Sequence, residues 1–322
     1  MTALINDTYL QSFGELSSES SQIAQFGVPP DLVHRTCDRD VFVTSVRVVG
    51  PSHFEVGARW PASHSFYGPV GDRHDPLLLL ETVREATFLI GHGKYDIPRD
   101  TAFIAQAKEF EFYPAGLYTA GDAPVDVVLD ITATNIKRRG GAVVGIRFDA
   151  ICYRDGEPVG SVAYSGCFAS AAVYTRLRGE HRTAKPALSC DTAPVRPALV
   201  GRADELDVLL AEAPGTRGWH LRIDPTHPVI FDHIIDHVPG NGAVEAARQA
   251  AYLAVGSPDA TLIRGGMSFA KYIEFDAPCL VFAEQTAESA DGRRTVAVAF
   301  TQNDHICGEG TFELLLPLST GV

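Results

Sequence analysis

From position 77 to 90 the chain is apolar on almost every helical face, with Glu81, Arg84 and Glu85 as the charged exceptions. A helix hydrophobic all round belongs inside a protein. Asp75 offers an N-cap and Pro76 suits a first helical position, where its missing N–H costs nothing. Gly91 and Gly93 are expected to end the helix. Alternating stretches over 103–112, 125–135, 143–152 and 159–168 then read as strands, parted by Arg138-Arg139-Gly140-Gly141 and Arg154-Asp155-Gly156-Glu157. The pattern recurs. An Ala- and Val-rich helix is predicted from Asn241 or Gly242 to Val255, closed by Gly256-Ser257-Pro258, with strands over 267–275, 279–288, 295–300 and 306–316.

The two helices share E-x-x-R-[E/Q]-A, from position 81 to position 245, an offset of 164. Each copy follows a strand-like stretch, Phe54 to Trp60 or Trp219 to Ile223. Helix and then four antiparallel strands, twice over, is an α+β pattern, not a βαβ alternation. A long apolar helix wrapped by a curved antiparallel sheet is the hotdog arrangement, so the chain is read as a tandem double hotdog. The two copies are expected to form an intramolecular pseudo-dimer with sheets joined edge to edge. The alternative is a pair of unrelated α+β domains. Residues 1–30 read as an N-terminal extension, 31–170 as the first repeat, 171–200, with Pro186, Pro194 and Pro197, as a linker, and 201–322 as the second repeat.

Composition narrows the partners. The 322 residues are 45% hydrophobic and carry a formal charge of −13, which excludes a disordered chain and disfavours nucleic acid and anionic membranes. An anionic small ligand held by a few buried arginines stays open. No apolar run reaches the roughly 18 residues of a membrane span, and residues 1–25 lack the basic and apolar regions of a signal peptide. Six dispersed cysteines (Cys37, Cys152, Cys167, Cys190, Cys279, Cys307) read as reduced core thiols, so a cytoplasmic protein is expected.

Glu245 and Arg248, three apart, point to one helical face, and Gln249 adjoins Glu245 at i+4. Burying such charges costs several kcal/mol unless they are compensated. They form either a structural ion pair or a site, and the repetition at Glu81 and Arg84 favours a site. At the second helix start, Gly240, Asn241 and Gly242 would let an anionic oxygen approach backbone N–H groups. Histidines gather before the helices: His53, His64 and His74, then His227, His233 and His237. Without H-E-x-x-H or a cysteine pair, no metal is expected, and no P-loop, dinucleotide turn or nucleophile elbow implies a cofactor. Lys137-Arg138-Arg139 and the linker residues Arg176, Arg178, Arg182 and Lys185 are solvated charge or a dock for an acidic carrier protein.

Leu32-Val33-His34-Arg35, Asp40-Val-Phe-Val-Thr44, Asp75-Pro-Leu-Leu-Leu-Leu-Glu81 and Glu245-Ala-Ala-Arg-Gln-Ala250 together resemble the A-factor biosynthesis hotdog proteins. These are the γ-butyrolactone and butenolide (or furan) autoregulator synthases of filamentous actinobacteria, and the resemblance runs from about Leu32 to Leu316. It implies transfer of a β-ketoacyl group from an acyl carrier protein or CoA thioester to the hydroxyl of dihydroxyacetone phosphate, then closure to a phosphorylated butenolide. It implies Glu245 as general base, Arg248 on the acceptor phosphate or oxyanion, and the N–H groups of Gly240 to Gly242 on the thioester oxygen. Glu81 and Arg84 then form a second site or complete the first. By analogy with hotdog dehydratases, His64 would serve the Glu245 site and His233 the Glu81 site. A homo-oligomer is possible. The competing readings are a hotdog thioesterase or dehydratase, or a non-catalytic acyl-binding protein.

Overall fold

The computed structural model describes residues 27–69, 71–119, 121–185, 193–233 and 235–317. Most of the expected N-terminal extension and, in the expected linker, Pro186 and Cys190 lie outside the described residues. The chain forms two compact units. One comprises the residues up to Ala105 with Ala115–Leu177, the other Gln106–Pro114 with the residues from Arg178 onward.

In the first unit, strands β1 (Val43–Gly50), β2 (His53–Trp60), β4 (Val125–Arg139), β5 (Ala142–Arg154) and β6 (Glu157–Ala169) lie in the order β1-β2-β4-β5-β6, all antiparallel. Period-two burial turns Val125, Val127, Leu129, Ile131 and Ala133 of β4 inward. Helix α1 (Leu77–Lys94) packs on β1, β2, β5 and β6. It is buried from Leu77 to Val83 and from Glu85 to His92. Its Thr82 hydroxyl is satisfied in both roles: Trp60 Nε1 donates to Thr82 Oγ1 (3.0 Å), which donates to Leu78 O (2.7 Å). Asp75 Oδ1 accepts the Leu77 N–H at 2.8 Å. The glycines do not end this helix. Gly91 lies inside it because a Cβ there would stand 3.0 Å from the Phe103 ring, and that packing outweighs a propensity cost of about 1 kcal/mol.

Strand β3 (Ala102–Phe112) begins in the first unit, and its residues Ala107 to Glu111 pair antiparallel with β9 (Thr261–Phe269) in the second. This pairing draws Gln106–Pro114 out of the contiguous repeat that the sequence suggested. The second unit's sheet runs β3-β9-β12-β11-β10-β8-β7, adding β7 (Leu210–Glu212), β8 (Trp219–Leu221), β10 (Leu280–Glu288), β11 (Arg293–Gln302) and β12 (His305–Leu315). The segment expected to be plain linker opens with a short helix, α2 (Ala171–Arg178). Helix α3 (Gly240–Val255) packs on β10 and β11. It ends as predicted at Gly256, whose φ of 66° is the left-handed conformation glycine adopts without strain. The chain is thus a tandem double hotdog, each long helix set against its own antiparallel sheet.

Strand β9 starts at Thr261, before the expected position 267, and stops at Phe269 instead of running to 275. Gly265 and Gly266 lie in mid-strand, where neighbouring groups leave little room for a side chain. A Cβ on Gly265 would fall 2.6 Å from the Phe110 ring. Gly265→Ala is expected to cost about 1–3 kcal/mol through overpacking, read as a lowered denaturant midpoint at unchanged slope.

Among the described residues no helix is long and apolar enough to cross a membrane. Five cysteines, Cys37, Cys152, Cys167, Cys279 and Cys307, are free thiols.

Candidate active site

Each long helix carries a buried carboxylate between two arginines. On α1, Glu81 Oε1 receives Arg84 Nε at 2.7 Å and Arg35 NH2 at 2.6 Å, and Tyr67 OH approaches Oε2 at 3.4 Å. On α3, Glu245 Oε1 receives Arg202 Nε at 2.9 Å and Gln249 Nε2 at 2.7 Å, while Oε2 faces Arg248 NH2 at 2.7 Å. Arg84 and Arg248 lie over the rings of Phe88 and Tyr252. The i,i+3 pairs were legible from the sequence. Their third members were not.

Arg35 and Arg202 arrive from matching tight turns, Pro30–Val33 and Pro197–Leu199. The signal is Pro30-Asp-Leu-Val-His-Arg35 against Pro197-Ala-Leu-Val-Gly-Arg202. His34 and Gly201 both take positive φ, 54° and 67°, which aims the following arginine at the helix. Glycine at that position in the second copy follows from the backbone it must adopt.

The i+4 residue secures the next strand segment in both copies. Glu85 Oε2 accepts the N–H groups of Phe42 (2.8 Å) and Val43 (3.1 Å). Gln249 Oε1 accepts Leu209 N–H, and its amide donates to Asp207 O, both at 2.8 Å. Burial, and then the neighbouring Glu81, push the Glu85 carboxyl from 4.5 up to about 8. Burial also drives the Tyr67 hydroxyl well above its ordinary range.

Glu245, the residue for which the resemblance implies a general base, is enclosed by its partners. Its side chain is 0% exposed; Oε1 receives Arg202 and Gln249, and Oε2 lies 2.7 Å from Arg248 NH2 with no aligned hydrogen bond among the described residues. A general base must reach the acceptor hydroxyl with an available lone pair. This carboxylate pairs with Arg202 and Arg248, as Glu81 pairs with Arg35 and Arg84.

The histidines ahead of the two helices lie in different surroundings. His64 Nδ1 accepts the N–H groups of Phe66 (3.1 Å) and Tyr67 (3.0 Å), so its proton lies on Nε2, facing Asp40 Oδ1 at 2.9 Å. His227 repeats the arrangement, with Val229 and Ile230 N–H on Nδ1 (3.2 and 3.0 Å) and Asp207 on Nε2 (3.2 Å). Both rings are buried pins that shape the loop ahead of the helix. The counterpart of His64 is therefore His227. His233 lies elsewhere, 40% exposed and paired with Asp232.

The two helix starts differ. The Leu77 N–H at the start of α1 is already bound by the Asp75 carboxylate. At α3 the N–H groups of Gly240, Asn241 and Gly242 precede the first main-chain helical bond, Ala243 to Pro239, and Pro239 offers no side-chain cap. Lys108, only 3% exposed, sends its ammonium to Asn241 Oδ1. A buried ammonium beside the positive end of a helix suits a negative charge. Lys108 carries no signal in the sequence, because β3 reaches α3 only through the second unit's sheet.

Among the described residues no group of three or more His, Cys, Asp or Glu side chains could hold a metal ion.

A family model described as A-factor biosynthesis hotdog domain matches residues 17–170 and 183–316. The chain is 35% identical over 279 residues to a 2-oxo-3-(phosphooxy)propyl 3-oxoalkanoate synthase of Streptomyces virginiae, covering 86% of this chain and 94% of the relative. It is 36% identical over 290 residues to a protein of the same name from Streptomyces coelicolor, covering 89% and 92%. A solved structure from Alicyclobacillus acidocaldarius, described as a conserved protein of unknown function with a hot dog fold, aligns with a TM-score of 0.45 at 15% identity over 86% of this chain and 97% of that one.

Proposed function

We propose, from the premise that the chain belongs to the A-factor biosynthesis hotdog family, that it is an acyltransferase forming a 2-oxo-3-(phosphooxy)propyl 3-oxoalkanoate. The observation that carries this reading is similarity to synthases of that product along nearly their whole length. The product is the ester of a 3-oxo acid with the hydroxyl of dihydroxyacetone phosphate. The acyl donor is a 3-oxoacyl thioester of a carrier protein or of CoA, and the protein acts in the cytoplasm where such thioesters are made. The methylene between the two carbonyls of the ester is acidic. It attacks the ketone of the acceptor portion and water leaves, giving a phosphorylated butenolide precursor of a signalling molecule.

The residues support distinct tasks. The N–H groups at Gly240 to Gly242, reinforced by Lys108, receive the thioester oxygen as it becomes anionic, a contribution that depends on donors fixed before reaction. Arg248, held in place by Glu245, offers a planar fork to the acceptor phosphate, and Arg84, held by Glu81, offers another. Arg84 keeps 17% of its side chain exposed and is the more accessible of the two. Glu81 and Glu245 act as positioning residues.

The test is mass spectrometry of products from a 3-oxoacyl thioester with dihydroxyacetone phosphate, with unphosphorylated dihydroxyacetone, and with no acceptor. Ester is expected with the phosphate, and at a far lower rate without it. Free 3-oxo acid formed regardless of acceptor would identify a thioesterase. Ligand binding without any turnover would identify a binding protein. Equal ester formation from both acceptors would remove the phosphate role given to Arg84 and Arg248.

A further inference from the structure

The second copy carries glycine at two positions where the first carries histidine. At the left-handed position ahead of each cluster arginine, the first unit has His34 (φ 54°) and the second Gly201 (φ 67°). Along the helices, the offset of 164 that relates Arg84 to Arg248 places His92 on Gly256. The helix ends differ accordingly. Helix α3 stops at Val255, while α1 runs on to Lys94 and carries His92 in its last turn.

A side chain at positive φ is strained and persists only where its surroundings over-determine it. The His34 ring stacks on Phe88, with centroids 4.2 Å apart and planes 14° from parallel. It is nearly parallel to His92 as well, and the two Nε2 atoms stand 3.1 Å apart. His92 Nδ1 faces Ile97 O at 2.7 Å. A carbonyl only accepts, so the His92 proton lies on Nδ1, and its Nε2 accepts from His34 Nε2. Burial pushes the His92 ring down from its ordinary value, which favours this neutral form. Phe103 closes the edge of the group, 4.5 Å from Phe88 and 5.2 Å from His92.

Phe88 lies one turn beyond Arg84, and its ring carries the Arg84 guanidinium at 4.9 Å. Arg84 meets Glu81 Oε1 through Nε and NH2, both at 2.7 Å, so NH1 is the donor that Glu81 does not engage. In the second unit the corresponding ring, Tyr252, packs against Gly201 itself: a Cβ built on that glycine would lie 3.5 Å from Tyr252 Cε2. Arg248 stands 5.9 Å from the centre of that ring, and its side chain is 4% exposed against 17% for Arg84.

We infer that the acceptor phosphate is bound by Arg84 in the first unit, and that His34 and His92 are positioning residues which fix this guanidinium through Phe88. This rests on the acyl-transfer reading and names which of the two arginine clusters takes the phosphate. Glu81 holds one edge of the fork and Phe88 supports its face. The imidazole pair holds Phe88 in turn. A phosphate that meets a guanidinium already ordered in this way loses little of its binding to freezing the side chain. Arg248, the enclosed fork, is left to the scaffold of the second unit.

The experiment follows ester formation by the full chain from a 3-oxoacyl-CoA, with dihydroxyacetone phosphate or unphosphorylated dihydroxyacetone as acceptor, for His34→Gly, His92→Leu and His92→Gln. His34→Gly installs the residue of the second copy at a backbone position that suits it, so the protein should fold and Arg35 should keep its aim. Its kcat/KM for the phosphorylated acceptor is expected to fall about tenfold, mostly through KM, the equivalent of one lost aromatic contact. For dihydroxyacetone, which lacks the group that Arg84 binds, the change should be far smaller. His92→Leu should match this pattern. His92→Gln, which keeps an acceptor for His34 and a donor for Ile97 O, should recover most of the loss. In an Arg84→Lys background His34→Gly should add nothing, because its effect passes through Arg84. Calorimetric titration with dihydroxyacetone phosphate makes the same comparison without turnover. A His34→Gly protein with wild-type KM and affinity for the phosphorylated acceptor would overturn the assignment, and so would an equal loss with both acceptors. Wild type that uses the two acceptors equally removes the phosphate role and this assignment with it. If wild type forms no ester, the acyl-transfer reading fails, and the titration still decides whether His34 governs phosphate binding.

Discussion

Glu245→Gln is expected to cost about 3–5 kcal/mol of folding stability, because it removes the counter-charge of two buried guanidinium groups while leaving both in place. Arg202 and Arg248 are 7% and 4% exposed, and both point their donors at this one carboxylate. The substituted amide also presents an NH₂ group where a third donor, Gln249 Nε2, already approaches Oε1 at 2.7 Å. A loss of that size is a large share of the roughly 5–15 kcal/mol that holds a typical domain together. Urea denaturation followed by tryptophan fluorescence checks it, through Trp60 in the first unit and Trp219 in the second, with the lowered midpoint falling on the second unit's transition. Arg248→Lys, which keeps the charge and loses the planar fork, should cost much less. A Glu245→Gln protein as stable as wild type would contradict the scaffold role, and loss of activity in that protein would return Glu245 to candidacy as the base.

The features legible in sequence were the local ones. All-round apolarity marked α1 and α3 as interior helices, Gly256 marked the end of α3, and E-x-x-R exposed the duplication. Three kinds of information were hidden. Gly91 looked like punctuation, yet it is small because the Phe103 ring comes close to it. Arg35 and Arg202 escaped because they are 167 positions apart, not 164, and because histidine in one copy stands for glycine in the other at the same left-handed backbone position. His227 was outranked by His233 because its partner, Asp207, is brought to it only by the folded chain.

The halves also differ at the i+4 position, and that difference has a pH signature. Gln249 is a permanent donor toward Glu245, whereas Glu85 can match it only when it carries a proton. Its Oε2 is occupied by two backbone N–H groups, and its buried Oε1 has no hydrogen-bond partner among the described residues. With the folded carboxyl pushed up to about 8 from 4.5, the native state holds a proton that the unfolded chain has released throughout that interval. Stability from this group is therefore full below 4.5 and is lost as pH rises through 8. Two histidines work on the acid side. Burial, aided by Arg154, lowers the His74 ring, and burial lowers His92, so each favours the unfolded state as pH falls below 6.5. Glu85→Gln should leave that acid limb intact and flatten the alkaline one, with stability matching wild type below 4.5 and exceeding it by up to about 4–5 kcal/mol above 8. Thermal melts of both proteins across pH read this directly. An alkaline decline of equal steepness in the two would show that Glu85 is already ionised in the native protein, and that the first unit tolerates a second buried carboxylate beside Glu81 by some other compensation.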